Sequence, residues 1–432
     1  MAFGGRRSAV GVHADGEWAK TTRQQNKRLG FALSLNAKRR TPNAKRETVN
    51  RWVRLLLEPA ERKRYETYEI MNNLRLHLLP VALGLLLSGC SAPSSQHTQI
   101  SYEDALAKVH QKIPAETYFT NDFLKQATTA KPTAPSSPDH VRIGMPWILN
   151  DESALWYIAV EKGFFRDMGI DAELVPGGPG KDPLALMVGG SLDIAVTPGG
   201  SFVVSLVASP TGAKVTAICT LLKDSQYSWI TLDHSVPNDQ VSHKELKPED
   251  LIGKKIGVQS DGQRYVDFVT QKFKLPADEL KISQVGFSID PLVSGAVDFY
   301  AGWFQNQPRF LEQQGYKNWV ALRFRDLGWT EEGDVSVVMK SLAEKNPGLV
   351  TRYVYGLTQA IQIYLNQPEE AADITLRYSK DASLTREMVL RRFELEKDLV
   401  VGHDGQPPLW MSGESWNNLA ALLTQYGGIS LN

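Results

Sequence analysis

The sequence predicts an α/β fold in two lobes, each a mostly parallel sheet covered by helices, with a helical C-terminal part. Two observations carry that expectation. From Val141 onward β-like and helical stretches alternate, the pattern of parallel strands joined through covering helices. Past residue 339 the strand signals stop while helical spacing continues, and a helical tail of that size needs a sheet to pack on. In order, the first series reads β at 141–145, helix at 153–166, β at 170–175, helix at 183–188, β at 193–197, helix at 201–208 and β at 215–222. The second reads β at 255–258, helix at 264–274, β at 281–287 and 297–300, helix at 308–314 and β at 319–324. It spans about one hundred residues, a common size for a lobe. After a last β-like stretch at 335–339 come helices at 347–365, 368–378, 385–400 and 415–426, the first two opened by Pro347 and Pro368 at a permitted first-turn position. The expected arrangement is a first lobe of residues 141–232 plus 334–432, interrupted by a second lobe of 234–332, with hinge strands near 230–233 and 326–335.

Composition bounds the function. With 42% hydrophobic and 22% charged residues, 432 residues build ordinary globular cores. The formal charge of zero hides two unlike parts: residues 1–70 hold 16 Lys/Arg against 7 Asp/Glu, leaving 32 against 41 for the rest. An acidic body argues against nucleic acid as a partner, because phosphate binding needs clustered Lys and Arg. From Met71 the chain runs MNNLRLHLLPVALGLLLSGCSAPSSQ: a short basic start, about a dozen apolar residues, then small residues before a cysteine. That has the layout of a secretory signal and is too short for the ~20 residues of a membrane span. It resembles a bacterial lipoprotein signal at 71–89, which implies lipidation of Cys90 and a membrane anchor. Residues 1–70 then read as a spurious basic extension, with translation beginning at Met71. Residues 90–140 read as tether and linker, with one or two short helices at 102–125 and a Pro/Ser-rich run at 131–140.

Several stretches then point one way. MPWILNDESALWYIAVEKGFFRDMGIDAELVPGG, LALMVGGSLDIAVTPGG, LIGKKIGVQSDG and DPLVSGAVDFYAGWFQNQPRFLEQQGY resemble, in order and spacing, the ABC-transporter solute-binding proteins for sulfonates, nitrate, riboflavin and thiamine-pyrimidine precursors. The resemblance covers roughly residues 141–400. It implies a type II periplasmic-binding-protein fold, hinge closure on a small molecule, and delivery to an inner-membrane permease by a monomer facing the periplasm or cell exterior. The likeness is greatest to pyrimidine-precursor binders, whose first loop runs Asp-Trp-x-x-Asn-x-x-His before a Tyr-x-Ala helix. Trp147, Asn150, Tyr157 and Ala159 match it. Met145-Pro146 stands where the Asp precedes the Trp, Ser153 takes the place of the His, and Gly302-Trp303-Phe304-Gln305-Asn306-Gln307 approximates a Gly-x-x-x-Asn-x-Glu pattern without its carboxylate. Those losses favour a neutral, flat heterocycle over a cationic pyrimidine.

Parallel α/β lobes bind ligands at the carboxyl ends of their strands. Trp147, after the first strand, offers a face for a flat ring or packs as structure between the lobes. The loops Gly177-Gly178-Pro179-Gly180 and Thr197-Pro198-Gly199-Gly200 either bring backbone N–H groups to a ligand or simply turn the chain. Gln259 and Ser260 either meet a ligand or cap the following helix. The richest cluster is 300–307, with Tyr300, Trp303, Asn306 and Gln307 offering aromatic faces and amides.

Catalytic constellations are sparse. His234, His243 and His403 are far apart, without metal-ligand spacing, and read as surface or capping residues. There is no Gly-x-Ser-x-Gly elbow. The pairs Glu331-Glu332 and Glu369-Glu370 read as solvated turn or helix-start charges, and Cys219 as a small buried hydrophobe. Neither metal nor cofactor is expected, and the chain reads as a non-enzyme. A synthase of the thiamine pyrimidine, which shares this fold, and a periplasmic sensor without transport are the other functional classes, and a small anion such as sulfonate or nitrate is the other ligand class.

Overall fold

A computed structural model describes residues 100–432 apart from Thr211, Asp261, Gly427 and Asn432. The expected extension at 1–70, the signal at 71–89 and Cys90 lie outside the described residues. The described strands are β1 (Asp139–Gly144), β2 (Ile170–Val175), β3 (Ile194–Thr197), β4 (Val215–Leu222), β5 (Tyr227–Leu232), β6 (Lys255–Val258), β7 (Lys281–Gln284), β8 (Phe299–Trp303), β9 (Trp319–Arg323) and β10 (Gly333–Met339). They form two five-stranded sheets, ordered β2-β1-β3-β10-β4 and β7-β6-β8-β5-β9.

In each sheet four strands share a direction and one runs against them. β1 is parallel to β2 and β3, and β6 to β7 and β8. β10 is antiparallel to β3 and β4, and β5 to β8 and β9. The reversed strand is the first one laid down after the chain crosses from the other sheet, and in both sheets it takes the fourth position. The chain crosses at 223–226 and returns at 324–332. The expected lobe boundary at 232 is corrected accordingly: β5 belongs to the second sheet. Its sequence, YSWITL, is buried at every position except the half-buried Thr231, so its periodicity could not say which sheet it joins.

The first sheet is covered on both faces, and β4 is buried at all eight positions. The helix Pro347–Asn366 shows why the chain folds this way locally. Asn346 caps it by accepting from the Leu349 N–H at 3.1 Å, and Val350, Val354, Leu357 and Ile361 line one buried face at helical spacing. It stops where Pro368 opens the helix Pro368–Tyr378. No helix among the described residues is long and apolar enough to cross a membrane. Cys219 is buried in β4, and burial pushes its thiol up to about 12, as befits a packed hydrophobe.

The stretch expected to be a tether is built into the first lobe. The helix Tyr102–Lys112 buries Ala105 and Val109 against the helix Gly413–Gln425, and Asp122–Thr129 buries Phe123 and Leu124 against Pro347–Asn366. Between them Tyr118 and Phe119 meet Trp416 at ring distances of 5.6 and 6.1 Å. The backbone there pairs with β4, Thr120 N–H donating to Ala217 O at 3.0 Å and Ala217 N–H to Tyr118 O at 2.9 Å, which covers an otherwise open sheet edge. The apolar pair at 105 and 109 was the signal, and the Pro/Ser run after it obscured it.

Candidate functional site

The two sheets meet around the crossings, where a narrow cleft, closed down to about 10 Å³, little more than the space of one water molecule, is walled by both lobes. The first lobe supplies Pro198, Gly199 and Phe202, the second Tyr227, Tyr265 and Trp303, and the crossing segments Gln226 and Glu331. The rings of Tyr227 and Tyr265 stack at 3.6 Å, and Trp303 stands edge-on to Tyr227 at 5.8 Å. Gln226 ties the lobes together: its Nε2 donates to Pro198 O at 2.8 Å, and its Oε1 accepts from Gln305.

Glu331 and Glu332 both line this cleft, and the Arg264 guanidinium lies 5.5 Å from the Phe202 ring and 5.1 Å from that of Tyr265; of the two acids Glu331 bonds both lobes. It is 6% exposed, which corrects the expectation of a solvated pair, and Glu332 is buried beside it. Oε1 of Glu331 accepts from the Ser201 N–H at 3.1 Å, and Oε2 from Tyr265 OH at 3.1 Å and Trp329 Nε1 at 2.9 Å. The carboxylate thus caps the first turn of the helix Gly200–Ala208, where the dipole and free N–H groups favour negative charge. A Cβ on Gly199 would lie 2.4 Å from Oε1, so the glycine makes room for the protein's own carboxylate. Glu332 accepts from the Ser412 N–H at 2.8 Å, and burial keeps its carboxyl pKa well above the usual range. Two adjacent acids in a loop resemble solvated charge in any sequence; apart from Trp329, the donors that meet them lie 66 to 130 positions away.

The predicted residues fall into three groups. Gly199 and Trp303 line the cleft. Trp147 is not among the residues that line the cleft; it meets Phe287 of the second lobe at a ring distance of 5.0 Å, a contact between the lobes. The others serve the chain itself. Asn150 accepts from the Glu152 N–H at 3.1 Å, Gln307 from the Trp303 N–H at 2.7 Å, and Asn306 from Arg309 at 2.6 Å. Gln259 donates to Ala301 O at 3.0 Å, and Tyr300, buried within β8, to Gly286 O at 2.7 Å. Ser153, Tyr157 and Thr197 are buried, with Tyr157 stacked on Tyr378 at 5.3 Å, while Ser260 is exposed. Gly177 lies where its Cβ would be 2.4 Å from Met145 O, a close backbone approach that supports the Trp147 loop. Gln226, Tyr227, Tyr265 and Glu331 were not singled out as binding residues from the sequence.

A buried ionic cluster also joins the two lobes. Arg309 of the second lobe donates to both carboxylate oxygens of Asp151, to Asn306 and to Met388 O. Arg392 lies 3.8 Å from Asp151 and pairs with Glu396 at 3.2 Å, and Tyr364 donates to Glu396. Glu152 and Asp334 add two further buried carboxyls, giving four acids to two guanidinium groups. Burial, first, and the neighbouring acids raise the pKa of both, that of Asp334 well above its usual range. The folded form therefore holds protons that the unfolded chain has released, and this part of the stability falls as pH rises from the ordinary carboxylate range, about 4. Asp334→Asn is expected to raise the melting temperature at pH 8 and to leave it unchanged near pH 3, as read by circular dichroism. Asparagine tolerates the positive φ of 50° at this position. A variant that melts lower at pH 8 would show that the Asp334 charge is compensated.

Two lobes of mostly parallel sheet, crossed twice by the chain and closed on a cleft walled from both sides, define a protein with the periplasmic-binding-protein fold. A model of the NMT1/THI5 like family matches residues 150–371, 222 of the 432, and the chain belongs to that family. It is 24% identical over 375 residues to the riboflavin-binding protein RibY of Chloroflexus aurantiacus, covering 82% of this chain and 95% of that protein. The periplasmic aliphatic sulphonate binding protein SsuA from Escherichia coli superposes with a TM-score of 0.50 at 17% identity, over 68% of this chain and 94% of that one. For a sulfonate-binding SsuA from Methylobacillus flagellatus KT the values are 0.49, 16%, 68% and 89%. The likeness to the solved structures is one of fold.

Proposed function

We propose that this chain is the receptor component of an ABC importer, which captures a neutral, planar heteroaromatic solute of flavin- or pyrimidine-precursor type and delivers it to a permease without changing it. The observation that carries this reading is the cleft wall: Phe202, Tyr227, Tyr265 and Trp303 come from both lobes, and the Gln226 amide stands beside them. Flat rings gain by stacking on such faces while a few polar groups read their edges. The helix N-terminus that would receive a sulfonate or nitrate is taken by Glu331. The resemblance to RibY, named for riboflavin, supports the same class of ligand. Hinge closure is the functional event, with Trp147 and Phe287 meeting between the lobes. In this reading the protein acts as a monomer, held to the membrane through lipidated Cys90 on the periplasmic or outer side, with its working chain starting at Met71.

Riboflavin titrated into the protein is expected to lose fluorescence on stacking. Trp303→Ala should weaken binding about 10- to 100-fold, the worth of one base–aromatic stack, and Trp147→Ala should weaken it by removing a contact between the lobes. Calorimetry that detects neither riboflavin nor a neutral aminopyrimidine would defeat the heteroaromatic reading, and a Trp147→Ala variant that binds like wild type would remove that contact from it.

A further inference from the structure

We infer that Glu331 is the specificity-determining residue of the cleft: a built-in anion that occupies an oxyanion receptor, bars anionic solutes, and joins the lobes as a ligand would. The inference rests on the reading of this cleft as the solute site. The receptor is visible in its donors. Ser201 N–H belongs to the first lobe, Tyr265 OH to the second and Trp329 Nε1 to the returning crossing, and all three converge on one carboxylate. Convergent donors at the first turn of a helix are the ordinary way in which a protein holds a phosphate, sulfonate or carboxylate. A further group is present and unspent: Ser201 Oγ is fully buried and has no hydrogen-bond partner among the described residues.

A side chain that bonds both lobes at once does the work of a bridging solute, because closure of a two-lobed protein is stabilised by contacts that need both halves. Glu331 reaches the site from the crossing itself, so opening the cleft must separate it from Ser201 or from Tyr265. An anionic solute would have to displace a carboxylate already holding three donors and then lie beside its charge. A neutral ring resting on Trp303 meets no such obstacle. In sequence the residue is hidden, because paired glutamates in a loop look solvated.

The test uses methanesulfonate as the probe. Wild type is expected to give no heat of binding, whereas Glu331→Ala, which vacates the receptor, should bind it at least about tenfold more tightly than wild type. Adding Tyr265→Phe should lose about tenfold of that gain, one charge-assisted hydrogen bond. If the alanine variant is poorly folded, methanesulfonate should raise its melting temperature and leave that of wild type unmoved. Wild type binding the anion as tightly as the variant would overturn the inference, and so would a variant, folded or not, on which the anion has no effect. Riboflavin titration of wild type reports on the heteroaromatic reading separately, so the two can fail independently.

Discussion

Replacing Arg309 by methionine is expected to cost about 3–5 kcal/mol of folding stability, the range for breaking a buried ion pair from one side. Arg309 is 2% exposed and Asp151 1%. The guanidinium is shared between Asp151, Asn306 and the Met388 carbonyl, so one side chain on the second lobe satisfies three acceptors, two of them on the first. Methionine fills similar volume but leaves the Asp151 carboxylate facing Arg392 at 3.8 Å with no bidentate donor. The double variant Asp151→Asn/Arg309→Met should recover much of the loss, because the orphaned charge is removed with its partner. Arg386→Met, which breaks an exposed pair with Asp373, should change little. Urea unfolding of the four proteins checks this, and an Arg309→Met variant as stable as Arg386→Met would show that the lobes are held together elsewhere.

A chain that begins at Val141 is expected not to reach the native state, although the sequence pattern puts the start of the folded body there. It would lose Val109, Ile113, Tyr118, Phe123 and Leu124, all buried. At about 1.5–3 kcal/mol for each large apolar side chain, those five rival the 5–15 kcal/mol by which a whole domain is stable. Their absence would also uncover Trp416 and Met411, and would remove Asp139, which accepts from the buried Arg352. Near-ultraviolet circular dichroism and thermal melts of chains starting at Ser101 and at Val141 separate the outcomes. The first should melt cooperatively and the second should show no native aromatic signal; equal melts would return residues 101–140 to the status of a tether.

The fold was legible because it depends on short-range pattern. The alternation from Val141, the proline-opened helices at Pro347 and Pro368, and the helix at 385–400 are all local, and the structure has an element at each, although the helix expected at 153–166 ends at Glu161 and the strand expected at 281–287 ends at Gln284. Elsewhere the local pattern is silent. β5 is apolar on both faces, so nothing local assigned it to a sheet. Most polar residues of the loops that the family likeness marks are spent on the chain: Gln307 on the Trp303 N–H, Asn150 on Glu152, Gln259 on Ala301. The residues that do wall the cleft, Gln226, Tyr227, Tyr265 and Glu331, gain their meaning from partners far away in sequence, and an ordinary-looking Glu-Glu dipeptide carries no mark of the three donors it will meet.

The placement of β10 bears on the order in which the molecule can be made. It is inserted between β3 and β4, one place in from the edge of the first sheet, yet the ribosome produces it after the whole second sheet. Until residue 339 has been synthesised, β3 and β4 have no partner between them, and the lobe that begins first must be completed last. The second sheet, contiguous from 227 to 323, can condense alone on contacts of shorter sequence separation. An incomplete nascent chain would therefore pair a finished C-terminal lobe with an N-terminal half still holding an open seam, and the arrival of one strand would close both the seam and the cleft.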